Sequence, residues 1–148
     1  MLVGKGKSMS LRETSMTVWY WEQVGGILIE EFMAVPRGTD HGQRLLDAVI
    51  VLGEEKRRMP VGSKFSLEGR DIIVVQTKNS RLGMCLMGQT VFSAQLVRRF
   101  FKPKSVQSVA LCAKNDAVLQ PMLEANKGCR VVVCPPEVCR LTRSSGRL

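Results

Sequence analysis

Three polar residues interrupt apolar stretches at positions that suit metal-dependent chemistry on a phosphate. Asp47 stands inside LLDAVIVL (45–52), where a carboxylate is costly to bury without a partner. Gln76 and Lys78 close the run DIIVVQTK (71–78), and residues two apart on a strand point to the same face. Adjacent strands would bring Asp47 against that face. The alternative is a simple ion pair between Asp47 and Lys78 at a strand end, with Gln76 exposed.

The chemistry of this set is that of a hard divalent cation such as Mg²⁺ (or Mn²⁺). Asp47 can supply carboxylate oxygens, and the side-chain carbonyl of Gln76 can supply an uncharged one. The backbone carbonyl of Thr77, between Gln76 and Lys78, is a candidate third ligand. Lys78 would then steady the attacking water or the charge that develops on the phosphate.

Apolar periodicity and turn residues predict the elements that would position these residues. We expect a flexible basic arm at 1–10, a single domain over 11–141 and a disordered tail at 142–148. In the helix at 116–126, Asn115 is the predicted N-cap and Gly128 the C-terminal stop. The order α-β-β-β-α-β-α-β predicts an α/β fold with a mixed central β-sheet flanked by helices. Predicted helices cover 11–23, 82–101 and 116–126, and predicted strands cover 27–35, 45–52, 71–78, 106–112 and 130–134.

Asp47, followed after a hairpin by Gln76-Thr77-Lys78, resembles the signature of the PD-(D/E)xK nuclease superfamily. That superfamily places an Asp in one strand and (D/E)xK in the next. Its common core is a helix, a three-strand meander, a helix and a strand, often with a further helix and strand, which is similar to the order predicted for 11–134. The resemblance implies a restriction-endonuclease-like fold. Leu46 replaces the proline of the signature and Gln76 its acidic residue, and a neutral ligand should weaken metal binding, although some members with Gln there are active.

The resemblance also implies roles for residues outside the motif. Many members carry a Glu on the first helix that joins the metal site, and Glu22 in WYWEQVGG is the best match, with Glu30 and Glu31 as rivals. Related exonucleases carry a Gln on the helix after the motif, which Gln89 could match. The implied function is metal-dependent hydrolysis of phosphodiester bonds in DNA, of resolvase, repair, restriction or mobile-element type. The alternative is a catalytically inert module of the same fold that binds nucleic acid or a partner protein.

Charge favours an anionic partner. The chain carries a net charge of +9 from 22 basic and 13 acidic residues, and nucleic acid is the usual partner of such a surface. A solvated basic surface without a dedicated partner is the alternative. A homodimer would suit cleavage of both strands of a duplex. The candidate phosphate contacts are Arg81, close to the predicted site, and Lys56, Arg57 and Arg58 in the connection before the third predicted strand.

Several other classes are disfavoured. Five cysteines at irregular spacing, without a CxxC pair, argue against a disulfide framework and against structural zinc. A single histidine, His41, excludes a cluster of histidine ligands and is expected on the surface. No apolar run approaches the roughly 18–20 residues needed to span a bilayer. The N-terminal residues lack the apolar core of a secretory signal, so we expect a cytoplasmic protein.

Overall fold

The computed structural model of the protein describes residues 10–139. Residues 1–9 of the predicted arm and the predicted tail at 142–148 lie outside this range. Helices in the described range are α1 (Leu11–Val24), α2 (Met84–Phe101), α3 (Leu119–Glu124) and α4 (Pro136–Cys139). Strands are β1 (Ile27–Val35), β2 (Arg44–Val51), β3 (Arg57–Arg58), β4 (Asp71–Arg81), β5 (Ser105–Lys114) and β6 (Cys129–Val133).

The strands form one mixed sheet in the order β3-β1-β2-β4-β5-β6. β2 is antiparallel to both β1 and β4, whereas β4, β5 and β6 are parallel and are linked through α2 and α3. The prediction of an α/β fold with a mixed central sheet and flanking helices is confirmed. The sequence did not predict β3, which pairs with β1 inside a charged connection. Two exposed arginines carry no apolar pattern from which a strand could be predicted.

The sheet is buried on both faces, which is why a polar residue in its central strands needs a partner. Along β4, Ile72 and Val74 join the apolar cluster that includes residues of α2, while Ile73 and Val75 join the cluster that includes residues of α1. These four side chains are at most 3% exposed. Fully buried strands read as continuous apolar runs, as the sequence showed.

A capping serine begins α1, and a turn held by an aspartate precedes α3. The Ser10 hydroxyl accepts the Glu13 amide at 3.1 Å and starts α1, while Gly25, at φ 84°, ends it. The prediction for α3 was wrong in length and in its cap. The Asp116 carboxylate, not the Asn115 side chain, accepts the amides of Val118 and Leu119, at 3.0 and 2.9 Å. Residues 116–118 therefore form a turn, and the helix begins at Leu119.

Four of the five cysteines are small core residues rather than reactive groups, and Cys85 is exposed. All five described thiols are free, and four of them are buried. Burial raises the pKa of Cys112 to about 11 and that of Cys134 to about 12, so both stay protonated at neutral pH. Among residues 10–139, no helix combines the length and apolar character that crossing a bilayer requires.

Candidate active site

The backbone pairing of β2 with β4 ends at the predicted site, and side chains connect the two strands there. The backbone pairing ends at Ala48 and Val75, and the same register places Asp47 opposite Gln76. There the Asp47 Oδ2 accepts the backbone amide of Thr77 at 2.8 Å, and the backbone amide of Asp47 faces the Gln76 Oε1 at 3.4 Å. A shared cation requires the two side chains to lie within about 8 Å of each other, given ligand distances of roughly 2–2.6 Å. The structure therefore brings Asp47 and Gln76 into one candidate site.

Gln76 is a buried and oriented side chain. It is 5% exposed, and its Nε2 donates to the Ser93 hydroxyl on α2 at 2.6 Å. This bond directs the amide oxygen toward Asp47. Within residues 10–139, no ion pair joins Asp47 to Lys78, so the simple ion pair with an exposed Gln76 is not the arrangement found. Ser93 was not singled out from the sequence, because a serine on a helix carries no distinctive signal.

Thr77 and Lys78 take up different positions around Asp47. The Thr77 hydroxyl lies on the α1 side of the sheet and shares a hydrogen bond of 2.8 Å with the Thr17 hydroxyl. The Thr77 amide points at Asp47, and because N–H and C=O of one strand residue point the same way, its carbonyl also lies on the Asp47 side of β4. Lys78 is exposed, and its positive charge acts on the carboxyl of Asp47.

Negative charge converges on Asp47. Burial raises the pKa of this carboxyl to about 6, against the opposing effect of the Thr77 amide hydrogen bond. The carboxylates of Glu13 and Glu31 raise the pKa further, and Lys78 lowers it. A chain with a net charge of +9 thus has the carboxylates of Glu13 and Glu31 acting on the half-buried carboxyl of Asp47. A bound cation would relieve this repulsion.

The first helix contributes Glu13, not the predicted Glu22. Glu22 is ion-paired with Lys56, whose ammonium also lies 5.2 Å from the centre of the Trp21 ring. Glu13 lies nine residues earlier, about 14 Å along the helix axis, and accepts the backbone amide of Asn79 at 3.0 Å. The available signal was its place four residues before Thr17, on the buried face of α1.

The two rival glutamates of β1 have separate environments. Glu30 is 2% exposed and accepts two hydrogen bonds from the Arg58 guanidinium, at 2.9 and 3.2 Å. Glu31 has a φ of 53°, in the left-handed region that costs a non-glycine residue about 1–3 kcal/mol, and it lines a cleft with Asp47. Of the two glutamates, Glu31 is therefore the one that lies beside Asp47 at the candidate site. The predicted phosphate contacts Lys56 and Arg58 are ion-paired within the chain, whereas Arg57 is exposed.

An open cleft of about 530 Å³ gives access to the site. The predicted Gln89 lies in it, on the exposed side of α2. Next to it stands Phe92, a large apolar ring that is 62% exposed. The cleft thus combines carboxylates, amides and an aromatic face. The predicted Arg81 is exposed, donates to the Asn115 carbonyl at 2.9 Å and lines a second crevice beyond the end of the site.

The oxygen donors suit a particular kind of metal site. Within residues 10–139, no three His, Cys, Asp or Glu side chains are placed to hold an ion between them. Mg²⁺, however, keeps several waters and is commonly held by one or two carboxylates together with substrate phosphates. Asp47 and Gln76 offer too few oxygen donors for a cage built by the protein alone, so a Mg²⁺ ion held there would need waters or a phosphate as its further ligands.

The chain matches no protein-family profile, no curated protein and no solved structure. Its resemblance to the PD-(D/E)xK superfamily therefore stays a prediction based on the motif and the element order. What the site does has to be inferred from its geometry.

Proposed function

We propose that the protein is a Mg²⁺-dependent nuclease of the PD-(D/E)xK type that hydrolyses phosphodiester bonds in DNA. One observation carries this proposal: the register of β2 and β4 sets Asp47 against Gln76, with Lys78 two residues further along β4. These are the positions of the signature motif, with the Gln76 side chain facing the backbone amide of Asp47. Asp47 and Gln76 line an open cleft, which gives a substrate access to them.

The element order supports a restriction-endonuclease-like fold. Leaving aside the two-residue β3 and the short α4, the chain runs helix, three-strand meander, helix, strand, helix, strand. The strands of the meander, β1, β2 and β4, are adjacent in the sheet, and the motif falls on its second and third strands. This arrangement supports the proposed superfamily more strongly than the short motif does.

The residues of the site have distinct tasks in this proposal. Asp47 and Gln76 would hold the Mg²⁺, which when bound lowers the pKa of its water and polarises the phosphate. The Thr77 amide holds Asp47 in place, and Ser93 holds Gln76. The exposed ammonium of Lys78 stabilises the negative charge that develops on the phosphate. Asp47 must be ionised to bind the cation, which a pKa of about 6 permits at neutral pH.

Two features of the surface favour DNA as the substrate. The net charge of +9 attracts a polyanion, and electrostatic attraction to phosphates supplies much of the affinity for nucleic acid. The exposed ring of Phe92 in the cleft offers a face on which an unpaired base can stack, and the amide of Gln89 stands beside it. An unpaired base near the site is what a nuclease acting on branched or single-stranded DNA encounters.

The test is cleavage of plasmid and branched DNA with Mg²⁺ or Mn²⁺. We expect Asp47→Ala and Lys78→Ala each to lower the rate by about 100-fold or more, a loss typical of a group that stabilises the transition state. Glu22→Gln is the matched control, because that residue is paired with Lys56 away from Asp47. Cleavage that survives both alanine substitutions would overturn the assignment of the site.

The second candidate function is an inert module of the same fold that binds nucleic acid. Two observations favour this module. Gln76 is neutral and its amide donates to Ser93, and no three carboxylates within residues 10–139 are placed to hold a metal ion together. The same experiment separates the two functions. Tight, salt-sensitive binding without cleavage by the intact protein would support the module and reject the nuclease.

A further inference from the structure

A second crevice lies where β4 and β5 end, on the face of the sheet that α1 covers. It has a volume of about 410 Å³, and its lining comes from α1, α4 and the ends of both strands. Its lining includes three basic side chains, those of Arg12, Arg81 and Lys114, and no acidic residue. Asn79 and Ser80 add neutral polar groups.

The three cations are placed together with no carboxylate in the crevice lining. Arg81 and Lys114 are direct partners in the β4–β5 register, a position where like charges destabilise a sheet. Within residues 10–139, none of the three takes part in an ion pair. The nearby carboxylate of Glu13 is engaged by the Asn79 amide. Elsewhere on the protein, Lys56 pairs with Glu22, Arg58 with Glu30 and Arg70 with Glu54.

We propose that this crevice binds a phosphate group. A guanidinium offers a planar fork of donors that matches phosphate oxygens, and an ammonium adds a compact point charge. The bond from the Arg81 Nη1 to the Asn115 carbonyl fixes this guanidinium in place before any ligand arrives. A preordered donor loses less side-chain entropy on binding, so Arg81 anchors the site.

The crevice and the candidate active site share one end of the sheet. β2 is antiparallel to β4, so its first residues, which precede Asp47, lie beside the last residues of β4. From Thr77 to Arg81 is four residues of strand, about 13 Å, and the exposed Lys78 lies between them. The two sites lie on opposite faces of this end of the sheet, so a DNA strand held at Asp47 would reach the crevice by passing round the strand ends, and this nucleic-acid form of the inference rests on the proposed function.

The phosphate could be a terminal monoester, an internal diester or a free ion, and binding measurements distinguish these sources. We would titrate the full-length chain with inorganic phosphate and with labelled oligonucleotides that end in a phosphate or in a hydroxyl group. EDTA is present throughout, so the result does not depend on metal or on cleavage. The test variant is Arg12→Gln/Lys114→Gln, and the control Lys64→Gln/Lys127→Gln removes the same charge from exposed positions elsewhere.

We expect the test variant to bind about tenfold more weakly than the control, with a salt slope reduced by about 0.7 for the one phosphate contact that is lost on a single strand. A loss confined to phosphate-ended oligonucleotides would assign the crevice to a terminal phosphate, and an equal loss for all oligonucleotides would assign it to the backbone. A loss seen with inorganic phosphate alone would assign it to the free ion. Equal binding by test and control variants would overturn the proposal, whether or not the protein cleaves DNA.

Discussion

The folded protein should be less stable with Asp at position 47 than with Asn, the neutral residue of the same shape. In the folded state the pKa of Asp47 is about 6, against 3.8 in the unfolded chain, so the folded protein holds this proton more tightly. Stability contributed by the protonated carboxyl is therefore lost as pH rises from about 4 to about 6. At about 1.36 kcal/mol per pH unit between the two values, ionisation costs the folded state about 3 kcal/mol at neutral pH.

Asp47→Asn removes that cost and keeps an oxygen that can accept the Thr77 amide. We expect the variant to exceed the wild type in free energy of unfolding by up to about 3 kcal/mol at pH 7.5, and by about 1 kcal/mol at pH 4.5. Urea unfolding at the two pH values measures both numbers. Glu55→Gln, which neutralises an exposed carboxylate, is the matched control and should stay within about 0.5 kcal/mol of the wild type.

The reasoning would be refuted by an Asn variant that is no more stable than the wild type at pH 7.5. An advantage of the same size at both pH values would also refute it, because the gain would then come from packing and not from charge. Stabilisation combined with loss of cleavage would show that the fold tolerates this carboxylate for the sake of its chemistry.

Three further predictions concern the surroundings of the site. Glu13→Gln removes a charge that raises the pKa of Asp47, so the rise of the cleavage rate with pH should move to lower pH. The control Glu22→Gln should leave the pH profile unchanged, and equal shifts in the two variants would contradict the assignment of Glu13. Gln76→Glu adds a carboxylate beside Asp47, so calorimetry should show that the variant binds Mn²⁺ about tenfold more tightly than the wild type and melts at a lower temperature. An unchanged affinity for Mn²⁺ would contradict a cation shared by the two residues. Arg58→Ala leaves the buried Glu30 without its guanidinium partner and should lower the free energy of unfolding, measured with urea, by about 2 kcal/mol. The exposed Arg57→Ala should lower it by less than about 0.5 kcal/mol, and similar losses in both variants would show that the ion pair does not stabilise the fold.

The parts of the fold that the sequence predicted are those with a strong local signal. β1 was predicted with the bounds it has, because a run rich in apolar residues begins after Gly25-Gly26 and ends at Pro36. The contact between Asp47 and Gln76 followed from polar residues placed in strands that are otherwise apolar. β4 extends three residues beyond its predicted end, to Arg81, because pairing with β5 continues where the apolar pattern has stopped.

What the sequence did not predict depends on how elements dock. Glu22 was the residue of α1 predicted to join the site, with Glu30 and Glu31 as rivals, and Glu13 was not singled out. The N-terminal half of α1 instead packs against the end of β4, through the Thr17–Thr77 hydrogen bond and the Glu13–Asn79 bond. No spacing along one helix reveals the angle at which it crosses a sheet.

The bridging of β2 and β4 by side chains affects how relatives of this protein should be interpreted. Asp47 and Gln76 replace the hydrogen bonds that a continuous backbone ladder would have made, so both help to hold the strands together whether or not DNA is cleaved. An inactive descendant would have reason to retain Gln76 and a side-chain oxygen at position 47, which Asn would supply without a buried charge. Lys78 makes no side-chain hydrogen bond or ion pair with residues 10–139, so hydrogen bonding and ion pairing give no reason to preserve it in an inactive descendant. Among homologues, a lysine at position 78 would therefore indicate an active enzyme better than the residues at positions 47 and 76 would.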